Sequence, residues 1–171
     1  MSNQPKLTIE LIPRSAWDNN LRSYLTGSQW DKVRKKCYAE ANHKCEICGG
    51  QDPGRLAKGH SPVDCHERWA FEDGQVKLYG LIALCPRCHE VKHIGLAEQR
   101  GNLSRAVSHF MKVNGMSRAD SMSYIKEAAK IWKLRSQQEW TLNIDYLEEY
   151  MGEKLKGKKP AQMEYDPGEA F

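Results

Sequence analysis

Residues 80–93, GLIALCPRCHEVKH, decide the fold. The stretch closes a run rich in β-formers, VKLYGLIAL, and then reaches Cys85-Pro86. Proline suits the first turn of a helix, where its missing N–H would have had no partner anyway. A strand therefore passes directly into a helix predicted over residues 86–97. Cys85 and Cys88 form a C-x₂-C pair at this junction. His89 and His93 are four residues apart, so they share one helix face and can hold one cation together.

Upstream, VDCHERWAF is a second β-rich run, separated from the first by EDGQ. Asp73-Gly74 is a short-turn signal, so residues 63–84 read as a hairpin. Residues 43–62 are loop-rich. They carry another C-x₂-C pair, Cys45-Glu46-Ile47-Cys48, followed by the turn-forming cluster GGQDPG. Two such knuckles supply four thiolates, the count and softness that tetrahedral structural Zn²⁺ prefers. Cys45, Cys48, Cys85 and Cys88 are thus expected to hold a structural zinc. With 36 residues between the inner cysteines, the ion would tie the loop to the hairpin and helix.

Farther out, residues 29–42 predict a helix with Ser28 as N-cap. Trp30, Val33, Cys37 and Ala41 lie on one face, and Cys37 reads as a small core residue. Residues 1–28 read as an irregular arm with a short strand over 7–12, ended by Pro13. Residues 103–135 read as two helices split at Asn114-Gly115, the second capped by Ser117. A strand in WTLNI and a helix over 145–150 follow. From residue 151 onward the chain is rich in lysine and poor in apolar residues, and reads as a disordered tail. The expected organisation is an arm (1–28), a core domain (29–100), a helical extension (101–150) and a tail (151–171). Trp17, Trp30, Trp69, Trp132 and Trp140 are assigned to the core. His43, His60 and His109 have no matched partner and are assigned to loop or helix surface.

The 171 residues suit one domain with an extension, and 26 Lys plus Arg against 22 Asp plus Glu leave a net charge of +4. Hydrophobic residues at 40% and charged residues at 28% exclude a disordered or collagen-like chain. No apolar run approaches the roughly 20 residues that cross a bilayer. The opening, MSNQPKLTIE, lacks the basic and apolar regions of a secretory signal. The chain is therefore read as soluble and cytoplasmic, with no membrane partner. In a reducing compartment its 6 cysteines are better read as metal ligands or catalytic groups than as a disulfide framework. The net charge permits DNA as a partner but does not establish it.

The helix beginning Trp30-Asp31 and continuing to KCEICGG, then VDCHERW and GLIALCPRCHEVKH, together resemble the HNH endonuclease family of phage and bacterial type. The likeness covers about residues 29–95. It implies an α+β fold with a ββα-metal (His-Me finger) core stapled by the Cys₄ zinc, and a helical C-terminal extension. It also implies metal-dependent hydrolysis of DNA phosphodiesters. By that likeness His66 is the general base. His89 and His93 are ligands of a catalytic divalent cation, Mg²⁺, Mn²⁺, Ni²⁺ or Zn²⁺, which stabilises the charge developing on the phosphate and the departing 3′ oxygen. Two positions depart from the family. Gly80 stands where an Asn usually holds the loop that orients the base, leaving Glu67 or Asp64 to do so. Cys65 stands where an Asp or His usually binds the metal. Cys65 either takes a softer ion, binds nothing, or leaves the site to other ligands.

A further possibility is that His66, His89 and His93 all bind one metal. Arg68, Arg87 and Lys92 lie beside the histidines and are candidates for the DNA backbone. The lysines of the stripe Lys126, Lys130 and Lys133 are weaker ones. The alternative to a nuclease is a catalytically degenerate zinc-binding module that binds nucleic acid, or one that serves regulation through protein contacts.

Overall fold

The computed structural model describes residues 4–16 and 21–157. The hairpin is its centre. Strand β1 (Asp64–Glu72) pairs antiparallel with β2 (Gln75–Leu84) from Asp64↔Leu84 to Glu72↔Gln75. Asp73 and Gly74 close it with positive φ at both turn residues, 50° and 72°, the geometry that matches strand twist. The register shifts between Arg68, opposite Gly80, and Trp69, opposite Leu78, so Tyr79 is an extra, bulged residue. A short strand β3 (Thr141–Asn143) adds in parallel to the other edge of β2, giving a three-stranded sheet in the order β1-β2-β3.

Strand alternation sends neighbouring side chains to opposite faces. Cys65, Leu81 and Ala83 face α1 (Gly27–Glu40), packing with Cys37 and Tyr38. Past the bulge, Leu78 joins Val33 of α1 and Leu147 of α7 (Tyr146–Met151). On the opposite face, Ile82 and Leu84 pack with Val91 of α3 (Pro86–Lys92) and Ile94 of α4 (Ile94–Gln99). Ala106, Val107 and Phe110 of α5 (Leu103–Asn114) complete this core. Ile125 and Ala128 of α6 (Arg118–Arg135) pack against its edge. The fold is thus α+β, and the helices after residue 100 share a core with the hairpin.

Several local expectations change. Helix α1 starts earlier than expected, and its N-cap is Thr26, which forms a capping box with Gln29. Within the loop region a short helix, α2 (Pro53–Ala57), is capped by Asp52. The helix expected over 86–97 breaks at His93 (φ −103°, ψ 46°), which ends α3 and begins α4. Residues 7–12 are not a strand, although Leu7 and Ile9 are buried. Among the described residues no strand pairs with them; instead the Asn114 side chain bonds both the N–H and the C=O of Leu7, at 3.0 and 2.9 Å. The stretch from 151 to 157 is docked: Met151 is buried, and the Gln29 side chain bonds the Lys154 carbonyl and the Lys156 N–H. Trp17 and the rest of the expected tail lie outside the described residues. Among the described residues no helix is long and apolar enough to cross a membrane.

Phe110 is 0% exposed at the centre of the core shared by the hairpin and the later helices. Phe110→Ala is expected to cost about 3–5 kcal/mol, read as a lower urea midpoint with unchanged slope.

Candidate metal centres

Two clusters of ligand-type side chains flank the end of the hairpin. In the first, one sulfur from each of Cys45, Cys48, Cys85 and Cys88 lies within 4.8 Å of every other, close enough to hold a metal ion. Local structure explains the convergence. The Glu46 N–H bonds the Ala83 carbonyl at 2.9 Å, and its carboxylate accepts the Ala83 N–H at 2.7 Å, which docks the first knuckle on the end of β2. Gly49 takes the left-handed conformation at φ 73°. A Cβ on Gly50 would stand 3.2 Å from the Cys48 sulfur. The glycine pair at the knuckle exit is therefore a backbone requirement. In the second knuckle Cys85 is the N-cap of α3, its sulfur accepting the Cys88 N–H at 3.5 Å.

The thiols share their protons unevenly. Contacts from Cys85 and Cys88 hold the Cys45 thiol far below its ordinary value. Cys88 is pushed up by Cys45 and Cys85, and Cys85 is raised to about 11, chiefly by Cys45. Four thiolates this close need a cation to coexist, so the donor set fits a soft divalent ion.

The second cluster is His66, His89 and His93, whose ligand nitrogens also lie within 4.8 Å of one another. The rings stand nearly equidistant, with centroids at 5.1, 5.0 and 4.9 Å. His66 comes from β1 and the other two from the first turns after Cys88. The helix break at His93 leaves the pair together, because the His93 N–H still bonds the His89 carbonyl at 3.3 Å. His66 is 3% exposed, and neither of its ring nitrogens has a hydrogen-bond partner. Buried polar atoms are rarely left so, and here they sit beside two further imidazoles. Burial, then His93 and His89, depress the His66 pKa well below its ordinary value. Burial, then His89 and Lys92, lower His93 to about 4. These two rings are thus neutral at pH 7 with lone pairs available, as metal binding or proton acceptance requires.

Asp64 orients His89, not His66. Its Oδ2 lies 3.1 Å from His89 Nδ1 and its Oδ1 accepts from Arg55 Nη1 at 2.7 Å. Burial pushes the Asp64 pKa up, but the His89 and Arg55 hydrogen bonds outweigh it and hold the carboxyl at about 2. With Nδ1 on the carboxylate, His89 Nε2 is left for the cluster. Glu67 Oε2 is 3.8 Å from His66 Nδ1, beyond hydrogen-bond range.

Cys65 does not join the histidines. Alternation turns it to the other face, against Cys37, Tyr38 and Ala83, where contact with Cys37 and burial keep it a thiol. Lys92 is not a free cation for a phosphate backbone. It is 4% exposed, and its ammonium donates at 2.7 Å to both Glu10 Oε1 and Thr8 Oγ1. Arg68 lines a cavity of about 390 Å³ together with His66, Glu67 and Tyr79. Gly80 lies beneath it, since a Cβ there would meet Arg68 Cδ at 3.5 Å. Arg87 is half exposed near Glu90. The sequence pattern offers His109 no partner. In the fold its Nε2 stands 3.2 Å from the Cys88 sulfur, a pairing across 21 residues that no local pattern announces.

No protein-family model, no curated protein and no solved structure matches the chain.

Cys45→Ser is expected to remove one equivalent of tightly bound metal, measured by elemental analysis, and to lower the thermal midpoint. Asp64→Asn is expected to weaken metal binding at the histidines roughly 10–100-fold, leaving the sulfur site loaded. In metal-free protein the depressed Asp64 pKa adds stability that is full above its unfolded value of 3.8 and is lost as pH falls towards about 2. Acid titrations of wild type and Asp64→Asn will differ in that window.

Proposed function

We propose that the protein is a metal-dependent endonuclease of the HNH type that hydrolyses DNA phosphodiester bonds. The observation that carries this reading is the convergence of His66 from the hairpin with His89 and His93 from the following helix. His66 accepts a proton from water as that water attacks phosphorus. The bond from phosphorus to the 3′ oxygen breaks and that oxygen takes a proton from solvent, leaving a 5′ phosphate and a 3′ hydroxyl. His89 and His93 hold the catalytic cation, and the Asp64–Arg55 pair fixes the tautomer of His89. The ion, when bound, supplies charge stabilisation to the phosphate and the leaving oxygen. Imidazole nitrogen suits Zn²⁺ or Ni²⁺ better than Mg²⁺ or Mn²⁺, which prefer oxygen. Arg68 and Arg87 are the cations available for neighbouring phosphates. The four cysteines hold zinc in a closed structural site.

A binding module without catalysis is the second reading. It is favoured by Gly80 in the place of the expected Asn and by the commitment of Lys92 to Glu10.

The test is plasmid cleavage with Mg²⁺, Mn²⁺, Ni²⁺ and Zn²⁺ in turn. His66→Ala is expected to lower the rate by about 10²–10⁴-fold while circular dichroism and the sulfur-site metal are unchanged. Equal cutting by wild type and His66→Ala would refute the role of His66 as base. Binding of DNA without cutting in any metal favours the second reading.

A further inference from the structure

The contact between His109 and Cys88 belongs to neither role described so far. Two of the other three sulfurs are met by a backbone N–H. Gly50 donates to Cys48 at 3.4 Å and Cys88 to Cys85 at 3.5 Å. Cys88, 0% exposed, is the most deeply buried of the four. The group at hydrogen-bonding distance from it is the His109 imidazole, 3.2 Å away on α5. His109 stands outside the four-sulfur set itself, so it is placed as a neighbour of a ligand.

Four thiolates around a dication leave net negative charge in a largely buried site. N–H donors to sulfur disperse that charge and hold each ligand in place. A metal-bound thiolate only accepts, so the proton between His109 and Cys88 must sit on Nε2.

We infer that His109 is a positioning residue of the four-cysteine metal site, donating its Nε2–H to the Cys88 thiolate. Helix α5 thereby becomes part of the outer shell of the metal. Retention of the metal and docking of the later helices then strengthen each other by the same factor. This rests on the cysteines holding a metal and is independent of any nuclease activity.

The test uses full-length protein loaded with Zn²⁺, Co²⁺ or ¹¹³Cd²⁺. His109→Phe keeps the ring volume without the donor, whereas His109→Gln retains an N–H at similar reach. Release of Zn²⁺ to a chromogenic chelator is expected to be about 10-fold or more faster in His109→Phe and to return towards wild type in His109→Gln. The sulfur-to-Co²⁺ charge-transfer band should shift in His109→Phe and recover in His109→Gln. In the ¹¹³Cd-loaded wild type, the His109 Nε2 proton should show scalar coupling to cadmium across the hydrogen bond, a readout that needs no variant to fold. Unchanged release and an unchanged cobalt band in folded His109→Phe would overturn the inference, as would an unprotonated Nε2 in the loaded wild type. If Cys48→Ser retains the metal with a cobalt spectrum showing a nitrogen ligand, His109 is itself a ligand and the positioning role fails. A wild-type protein that binds no metal at the cysteines overturns the inference and the zinc reading together, which separates that failure from one specific to His109.

Discussion

The junction where Cys45 and Cys48 meet Cys85 and Cys88 is the constraint on which the rest of the structure depends. It lies where β2 ends and α3 begins, so it sets the direction in which α3 leaves the sheet. Cys85 serves twice there, as one of the four sulfurs and as the N-cap of the helix. The same junction fixes the loop before the hairpin, because Glu46 grips both hydrogen-bonding groups of Ala83. His89 follows Cys88 directly, so any freedom in the junction would be transmitted at once to the histidine cluster. A small protein gains more from one such tie than from several exposed ion pairs, which are worth little in water.

The two faces of the hairpin divide the work. One face is apolar and packs on α1, with Cys65 among its members. The other carries His66 and the core shared with the later helices. Only the second face brings imidazoles together, and it does so in a buried setting that keeps His66 and His93 neutral. The cost of burying polar nitrogens without partners is substantial, which makes an unpartnered His66 informative about what it is built to meet. Behind His89 the chain of Asp64, Arg55 and Asp52 reaches back to the cap of α2. A loop that looked like mere connection thus supplies the support for one member of the cluster. Lys92 shows the opposite use of a charge near the site. Buried and paired with Glu10, it pins the N-terminal arm to α3.

Much of the molecule was legible in order along the chain. The hairpin was readable because Asp73-Gly74 is local turn chemistry, and its strands are bounded by it. The two C-x₂-C pairs were readable because their spacing brings sulfurs together within a single turn. The helix split at Asn114-Gly115 and the Ser117 cap were readable for the same reason, each being decided by a few consecutive residues. Residues 7–12 alternate without forming a strand, because alternation alone does not supply a hydrogen-bonding neighbour. The hydrogen-bonding partner there is the Asn114 side chain, 107 residues away from Leu7.

The sequence by itself determined the hairpin, the start of the helix that follows it, the paired cysteines and the His89–His93 pair, since each rests on short-range rules of turn, cap and period. Only the tertiary structure decided which groups serve which centre. It turned Cys65 away from the histidines, because strand alternation and the packing of α1 set its face. It gave Asp64 to His89 and not to His66, consumed Lys92 in an ion pair with the arm, and brought His109 to Cys88. Those pairings depend on distances between elements far apart in the chain, which local residue preferences do not encode.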